Sequence, residues 1–193
     1  SMTAAELMVA PPVVATPREE LDLAAWRLVA ARAHRLVVIE NDQPVGVLSV
    51  EDVLGGMLHL QVPTPLRAIV SRPIESVMLG TPISEAIDRL ALAGVHGLVV
   101  LDGLAPIGIF DQAEAIAARQ LPPSLLEDPV EEVMCHEFVS LAGETPIHRA
   151  ARHAWSTKAR RILVTESKLL VGIVSDLDLV DALARSVEKA AAS

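Results

Sequence analysis

The sequence predicts an α+β protein built from three copies of one unit of roughly sixty residues, each with the order strand, helix, strand, strand, helix. Two observations predict this fold class. The first is a hairpin pattern, in which an apolar run, a polar or Gly/Pro break and a second apolar run with an early glycine are followed by a helical stretch. It occurs three times, as RLVVIENDQPVGVLSVEDVL from Arg35, GLVVLDGLAPIGIFDQAEAI from Gly97 and RILVTESKLLVGIVSDLDLV from Arg161.

The second observation is that the register of the three copies continues upstream of the hairpins. Gly46, Gly108 and Gly172 lie 62 and 64 residues apart, and an apolar stripe recurs at a fixed distance before each of them. Apolar residues spaced i, i+3, i+4 and i+7 form one buried face of a helix. The stripes are Leu21, Ala24, Ala25, Leu28; Ile83, Ala86, Ile87, Leu90; and Ile147, Ala150, Ala151, Ala154. Further upstream the pairs Leu7-Met8, Ile69-Val70 and Val133-Met134 coincide in the same register.

Thr-Pro pairs and Gly or Pro breaks predict where the elements begin and end. Thr81-Pro82 and Thr145-Pro146 suit the N-cap and the first position of a helix. Thr16 with Glu19 offers a capping box, which predicts an earlier helix start in the first unit. Gly55-Gly56 and Leu121-Pro122-Pro123 mark the links, so the repeats are predicted at 2–58, 64–120 and 126–190. A crossover helix followed by a hairpin gives each unit a small mixed sheet with an unburied face, so the units must pack against each other.

Composition and charge argue against several classes of partner. The net charge of −9 argues against broad binding to nucleic acid or to an anionic membrane surface. The single cysteine, Cys135, excludes an intrachain disulfide and a multi-cysteine metal site. The longest apolar region, Leu90 to Phe110, is interrupted by His96 and Asp102 and is not a membrane span. No signal peptide is visible, and we expect a cytoplasmic protein.

The order of elements and several short motifs resemble the CBS (cystathionine-β-synthase) domain. The motifs are a lead-in like EEVM, a TPI helix start, an HRLVV strand and a GIVSDLDL strand–helix junction, and the likeness covers nearly the whole chain, three times over. The second half of the first repeat is especially similar to the repeats of the AMP-activated kinase γ-subunit family. The resemblance implies repeats that pair through their sheets into a Bateman module with two clefts. Three is an awkward number for such a fold, so we expect two repeats to pair within the chain and the third to pair across a homodimer or with another protein.

The resemblance also implies a ligand, because CBS clefts often bind adenine nucleotides or S-adenosylmethionine. In the family a Gly-h-h-Ser/Thr-x-x-Asp pattern (h, apolar) supplies a carboxylate to the ribose and a hydroxyl near the ribose or phosphate. The first repeat matches with Ser49 and Asp52, and the third with Ser175 and Asp178. The second repeat departs from the pattern, with Asp111 and Glu114 at those places. The same Ser-x-x-Asp spacing also caps a helix without any ligand, and the sequence leaves both interpretations open.

Basic and apolar positions complete the predicted ligand sites. His34-Arg35 and Arg160-Arg161, with His96-Gly97 in the second repeat, precede the central strands, where family members often hold phosphates with basic residues. Alternatively, these residues are exposed helix ends, where cations suit the helix dipole. Val13 and Val139 fall on the first strands and are predicted to line a purine site, for which Glu75 of the second repeat is unsuited.

These patterns favour a regulatory protein over an enzyme. No catalytic motif or phosphate-binding loop is present, and Cys135, His136, His148 and His153 match no standard metal spacing. We expect no required cofactor, and a protein that binds AMP, ADP, ATP or S-adenosylmethionine and modulates a separate protein partner. The alternative is a structural or oligomerisation module that binds no ligand.

Overall fold

The computed structural model describes residues 3–8, 11–71, 74–95 and 97–191, and the elements follow the predicted repeating order. The strands are β1 Val14–Ala15, β2 Arg35–Glu40, β3 Gln43–Ser49, β4 Ser76–Met78, β5 Gly97–Asp102, β6 Ala105–Asp111, β7 Val139–Ala142, β8 Arg161–Glu166 and β9 Leu169–Ser175. The helices are α1 Ala4–Leu7, α2 Leu21–Ala31, α3 Val50–Gly56, α4 Ile83–Ala93, α5 Gln112–Ala118, α6 Ile147–Thr157 and α7 Asp176–Ala191. Short 3₁₀ helices occupy Leu66–Ala68, Pro123–Glu127 and Val130–Glu132. The predicted α+β fold class is confirmed.

Each repeat contributes one three-stranded mixed sheet, in the orders β1-β2-β3, β4-β5-β6 and β7-β8-β9. The first two strands of each sheet are parallel, with Val14 opposite Val37 and Val139 opposite Ile162. In the first two repeats the second and third strands are antiparallel. The pairing register shifts at equivalent places in both, after Val38 in the first repeat and after Val100 in the second. A crossover helix followed by a tight hairpin produces this combination of pairings.

The predicted helical stripes are buried in the structure. Every stripe residue of α4 and α6 is buried, and in α2 only Leu21 stays half-buried. Leu36, Leu98 and Ile162, the second residues of the three central strands, are buried as well. Burying a Val, Leu or Ile side chain contributes about 1.5–3 kcal/mol to folding. The core is therefore mostly aliphatic, with Phe110 of β6 as a fully buried aromatic residue, and it rests largely on residues that recur at equivalent positions.

The prolines, rather than the threonines before them, cap the first helices of the second and third repeats. Helices α4 and α6 begin at Ile83 and Ile147, one residue later than predicted. Pro82 and Pro146 have extended backbones, with ψ of 144° and 142°. The Pro82 carbonyl accepts the first helical bond, from the Ala86 N–H at 3.0 Å, which defines an N-cap residue.

The predicted capping box of the first repeat is wrong. Helix α2 begins at Leu21, after Glu20, and no side chain caps it. The Glu19 carboxylate instead accepts from Arg27 Nε at 2.6 Å, an ion pair with the surface of the helix. Thr16 contributes only a turn, in which its carbonyl accepts the Glu19 N–H at 3.1 Å.

Gly55 and Gly56 form the last turn of α3, so the prediction of a linker break at this pair is also wrong. A Cβ atom on Gly55 would lie 2.6 Å from the indole nitrogen of Trp155, and one on Gly56 would lie 2.5 Å from Leu21 Cδ2. Both distances are too short for any real Cβ. The glycines are present because two side chains pack directly onto the backbone of the helix.

The residues divide into two compact units that cut across the repeats. The first unit comprises 1–64, 146–158 and 175–193, and holds the first repeat with the two helices of the third. In it α7 packs against α2, α3 and α6. The second unit comprises 65–145 and 159–174, and holds the second repeat with the strands of the third.

Within the second unit the two repeats exchange their lead-in segments. Ser71 bridges to Ile173 on β9, and Cys135 bridges in the same antiparallel way to Ile109 on β6. The Leu66 N–H donates to the Thr145 carbonyl at 2.9 Å, and the Val130 N–H donates to the Thr81 carbonyl at 2.8 Å. Leu66 with Val130, and Ser71 with Cys135, are equivalent residues of the two repeats. The exchange is therefore reciprocal, as expected of a Bateman-type pair.

Two glycines allow this exchange. A Cβ atom on Gly172 would lie 2.5 Å from the Cβ of Val70, and one on Gly108 would collide with the Met134 side chain and lie 3.0 Å from the Cys135 carbonyl oxygen. The glycines that align the repeats in the sequence are thus points of close approach for an incoming lead-in segment.

Candidate functional site

Three strand ends meet at one edge of the sheet of the first repeat. β1 and β2 run parallel and β3 returns antiparallel, so the starts of β1 and β2 lie beside the end of β3. Arg35 and Ser49 are direct partners in the β2–β3 ladder, and the Val13 carbonyl accepts the Val37 N–H at 2.9 Å. Neighbouring strands are about 4.8 Å apart, so Val13 lies about 10 Å from Ser49. The structure brings these predicted residues to the same edge.

Ser49 and Asp52 bond to each other at the junction between β3 and α3. Asp52 Oδ2 accepts the Ser49 N–H at 2.9 Å and the Ser49 hydroxyl at 2.6 Å, and Ser49 Oγ accepts the Asp52 N–H at 3.2 Å. These are the bonds of a capping box, so the pair does cap the helix. Both bonds from Ser49 go to Oδ2, and Oδ1 accepts no hydrogen bond from the part of the chain that the structure describes.

The bonds from Ser49 also favour the ionised form of Asp52. The hydroxyl of Ser49 first, and its backbone N–H second, lower the pKa of Asp52 below its usual value. Asp52 is exposed, and an ionised carboxylate only accepts hydrogen bonds. Its second oxygen is therefore suited to a ligand that donates hydroxyl groups, and an arginine, Arg35, lies exposed across the ladder from Ser49.

His34 has a carboxylate neighbour that the sequence did not predict. Its Nδ1 lies 3.9 Å from Oδ1 of Asp176, the first residue of α7, and Asp176 is the buried charged residue of this unit at 8% exposure. A carboxylate at that distance competes with a phosphate for the charge of His34 and opposes an incoming anion. The sequence did contain a signal, because the equivalent positions in the other repeats hold the uncharged Val50 and Gln112.

The third repeat repeats the junction of the first. Asp178 Oδ2 accepts the Ser175 N–H at 2.8 Å and the Ser175 hydroxyl at 2.7 Å, and Ser175 Oγ accepts the Asp178 N–H at 3.1 Å. Ser175 and Asp178 belong to the first compact unit, whereas the other predicted residues of this repeat, Arg160, Arg161 and Val139, belong to the second.

In the second unit those three residues occupy the predicted strand starts. Val139 begins β7 and is half-buried, and Arg161 begins β8 after the exposed Arg160. Arg161 reaches toward the second repeat, where its Nη1 would lie 3.6 Å from a Cβ placed on Gly97. Neither arginine lies within a helix, because α6 ends at Thr157, and both follow its C-cap residue, Lys158. His34 and Arg35 likewise lie beyond the end of α2.

The second repeat keeps the cap but places two carboxylates there. Asp111 accepts the Ala113 N–H at 2.6 Å, and Glu114 accepts the Asp111 N–H at 3.1 Å. Burial first, and the neighbouring Asp111 side chain second, raise the pKa of Glu114. His96, the predicted basic residue here, lies outside the described residues. The junction is therefore a poor place for a phosphate.

The other clefts and side-chain clusters of the described residues do not point to a second ligand site or a metal site. An open cleft of about 910 Å³ on α4 is lined by Glu75, Glu85, Asp88 and Arg89, but by none of the predicted ligand residues. His148 Nδ1 bonds to the Val62 carbonyl oxygen at 2.8 Å, which gives it a structural partner. Across the described ranges no group of three metal-ligating side chains forms, and no described helix is long and apolar enough to cross a membrane.

Comparison with known proteins identifies the repeated unit. The family model for the CBS domain matches three segments of the chain, residues 4–59, 66–120 and 130–185. The protein belongs to the CBS-domain family. The CBS resemblance of the sequence is thereby confirmed, and each matched segment ends after the second helix of a repeat or within it.

Two solved structures and one curated protein are similar to the chain. An uncharacterized conserved protein from Pyrococcus horikoshii superposes with a TM-score of 0.76 at 22% identity, covering 93% of this chain and 82% of that one. A Methanocaldococcus jannaschii protein, described as a putative archaeal homolog of g-AMPK, gives 0.75 at 14% identity, covering 91% and 68%. The A-adding tRNA nucleotidyltransferase of Geobacter sulfurreducens is 30% identical over 137 residues, which is 68% of this chain but 15% of that protein.

Two CBS structures similar to this fold contain adenosine compounds. CBSX2 in complex with AMP has a TM-score of 0.55 at 22% identity. The superposition covers 64% of this chain and 98% of CBSX2. The CBS domain pair of a second protein, MJ0100, in complex with 5-methylthioadenosine and S-adenosyl-L-methionine, has a TM-score of 0.54 at 19% identity, with the same coverage of 64% and 98%. At these identities the likeness establishes the shared fold.

Proposed function

We propose that the protein is a cytoplasmic regulatory CBS module whose first repeat binds an adenosine-containing ligand, which is AMP, ADP, ATP or S-adenosylmethionine. Ligand binding changes how the module, as a homodimer formed through its repeats, acts on a separate protein. The observation that carries the proposal is the Asp52 carboxylate, which two hydrogen bonds from Ser49 hold by Oδ2 while its Oδ1 accepts no hydrogen bond from the described residues.

The ribose is the part of the ligand that this carboxylate recognises. A ribose diol donates two hydroxyl groups, and the acceptor-only Asp52 at the exposed edge of the sheet is a matching partner. Ser49 holds the carboxylate in place before any ligand arrives. Less side-chain freedom is then lost on binding, which favours affinity.

Arg35 and Val13 would bind the two ends of the ligand. Arg35 is exposed directly across the ladder from Ser49, and its forked guanidinium suits phosphate oxygens or the carboxylate of S-adenosylmethionine. Val13 is half-buried about two strand spacings away and can contact a purine face. His34 contributes less in this proposal, because Asp176 lies beside its Nδ1.

At most two repeats work as sites in this proposal. The third repeat has the same hydroxyl–carboxylate junction at Ser175 and Asp178, and it offers Arg160, Arg161 and Val139 in the second unit. The second repeat has Asp111 and Glu114 instead, and two carboxylates disfavour an anion. The AMP and S-adenosylmethionine complexes of two CBS relatives support the class of ligand.

The alternative is a structural module without a ligand, and one observation favours it. Ser49–Asp52 and Ser175–Asp178 satisfy each other's hydrogen bonds and cap their helices by themselves. In that case the two junctions serve folding only, and the output of the protein is oligomerisation. An enzymatic role has no support in the described side chains, and the nucleotidyltransferase activity belongs to a relative of which this chain spans 15%.

Thermal unfolding in the presence of ligand separates these functions. AMP, ADP, ATP and S-adenosylmethionine are added singly to the full chain, and a ligand at 100 times its Kd should add about 2.7 kcal/mol of stability. Asp52→Asn should remove the shift from the first site, whereas the matched Glu114→Gln in the second repeat should leave it. Each variant is compared with its own ligand-free melting temperature, because Asp52 also caps α3. If none of the four compounds moves the melting temperature of the wild type, the structural module is the better description.

A further inference from the structure

We infer that Asp176, which the third repeat contributes to the first site, restricts that site to an adenosine ligand with a single anionic group. That group is the phosphate of AMP or the carboxylate of S-adenosylmethionine. Asp176 acts by offsetting the charge of His34, so that ADP and ATP bind less tightly. The inference rests on the proposed function and names the class of ligand that the same site accepts.

His34 lies between the first residues of two helices. Its backbone carbonyl accepts the Val50 N–H at 3.0 Å, and Val50 begins α3 directly after Ser49. Its Nδ1 lies 3.9 Å from Oδ1 of Asp176, which begins α7. All four residues belong to the first compact unit. His34 is therefore joined to the Ser49 junction through its backbone and adjoins Asp176 through its side chain.

The packing of α7 holds Asp176 in this place. α7 packs against α2, which ends shortly before His34, and against α3, which begins the junction helix of the first repeat. Asp176 is 8% exposed, and its Oδ1 accepts the Leu177 N–H at 2.8 Å. A buried charge is screened by salt much less than an exposed one. The carboxylate therefore acts on His34 before any ligand arrives.

The position of Asp176 weakens the attraction between His34 and a chain of phosphates. When His34 is protonated, its charge and that of Asp176 are opposite and 3.9 Å apart, so they largely cancel at the distance of a bound phosphate. Arg35 lies exposed across the ladder from Ser49, and its forked guanidinium suits one phosphate or carboxylate group. ADP and ATP carry additional negative charge, for which the offset charge of His34 compensates little. One anionic group is matched, and further phosphates are not.

The equivalent positions of the other repeats indicate that the helix does not need this carboxylate. Val50 begins α3 and Gln112 begins α5, and both helices still have a complete capping box. The cap of α7 is made by Ser175 and Asp178, with bonds of 2.8 and 3.1 Å. Asp176 is therefore not required for capping, and its nearest basic group is a residue of the first site.

The test measures a ratio, the Kd for ATP divided by the Kd for the tighter of AMP and S-adenosylmethionine. Isothermal titration of the full chain is carried out at pH 6, below the ordinary histidine pKa of about 6.5. The first site is identified as the binding that is lost in Asp52→Asn. In the wild type its ratio should be at least about 10, and Asp176→Asn should lower the ratio about tenfold, because a negative charge beside His34 is removed. A general loss of folding would weaken every ligand alike and leave the ratio unchanged.

The matched control is Asp181→Asn, which removes the same charge from the same helix. Asp181 accepts from Arg185 Nε at 2.9 Å, so its charge is directed to another partner, and the ratio should stay that of the wild type. A double-mutant cycle then tests the route through His34. In a His34→Gln background, Asp176→Asn should change the ratio by less than about twofold, because interacting residues are not additive.

The outcomes separate the inference from the proposed function. A wild type that binds ATP as tightly as AMP and S-adenosylmethionine overturns the inference, as does an unchanged ratio in Asp176→Asn or an equal change with and without His34. In each of these cases ligand binding itself is retained. If the wild type binds none of the four compounds, the proposed function and the inference are both rejected. If the ratio falls in Asp176→Asn but not in Asp181→Asn, the inference is supported, and the tighter ligand identifies the anionic group as a phosphate or a carboxylate.

Discussion

The first and second repeats have the same order of strands and helices and the same kind of helix cap, yet two differences between them bear on function. At the junction the first repeat has a hydroxyl and one carboxylate, Ser49 and Asp52, whereas the second has two carboxylates, Asp111 and Glu114. At the strand glycine the second repeat is covered by Met134, whereas Gly46 of the first is open. The scaffold thus needs only a cap and an aliphatic stripe. In the proposed function, residues beyond those requirements determine which repeats bind the ligand.

The largest expected effect is the difference in stability cost between an alanine substitution at Gly108 and one at Gly46. Gly108→Ala should destabilise the protein by about 3 kcal/mol, since the new methyl group overpacks against Met134 and the Cys135 carbonyl oxygen. Gly46→Ala should change the free energy of unfolding by less than about 1 kcal/mol, because its Cβ has open space. Urea denaturation measures both changes, at a protein concentration low enough to dissociate any dimer. Equal costs at the two glycines would contradict the difference in packing.

A smaller effect is expected on ligand affinity, where substitutions of Asp52 and Glu114 at the two strand–helix junctions should differ. Asp52→Asn should weaken binding of the adenosine ligand at least tenfold, about 1.4 kcal/mol, because a hydrogen bond to a charged group is lost. Glu114→Gln should leave the affinity unchanged. Isothermal titration with the compound that gives the largest thermal shift measures both variants. A loss of affinity in Glu114→Gln equal to that in Asp52→Asn would show that the junctions are not distinguished by their chemistry.

The smallest expected effect is a pH dependence of stability, which has opposite signs for Asp52 and Glu114. The lowered pKa of Asp52 means that its contribution to stability is present above the unfolded-state pKa, about 3.9, and is lost as the pH falls toward the folded value. The raised pKa of Glu114 means that its contribution is present below about pH 4.3 and is lost as the pH rises through the folded value. Relative to wild type, Asp52→Asn should therefore be less stable at pH 7 and approach wild type in acid. Glu114→Gln should gain stability relative to wild type as the pH rises. Denaturation curves recorded between pH 3 and 7 measure both variants. If the two variants change in the same direction with pH, the opposite pKa shifts of Asp52 and Glu114 are refuted.

The repeated fold could be predicted because its determinants are periodic and local. The stripes of α2, α4 and α6 and the three hairpins are visible as spacings, and spacing is what a helix or a strand requires. The Ser-x-x-Asp junctions could be found in the same way, because a capping box is made within four residues.

The remaining features depend on contacts between distant segments. Gly55-Gly56 looks like a linker, and only the packing of Trp155 and Leu21 explains its place in a helix. The Glu19–Arg27 ion pair took the place of a predicted cap for a similar reason. The neighbour of His34, Asp176, comes from the third repeat, more than a hundred residues along the chain. Local patterns contain no information about which distant side chain arrives.

Native mass spectrometry tests the central claim most directly, that a subset of these repeats binds an adenosine ligand. The full chain is titrated with AMP, ADP, ATP and S-adenosylmethionine, and the bound mass is counted per chain. The account predicts one or two specific adducts with at least one of these compounds, and the loss of one adduct in Asp52→Asn but not in Glu114→Gln. No adduct with any compound, or three equivalent adducts per chain, would contradict it.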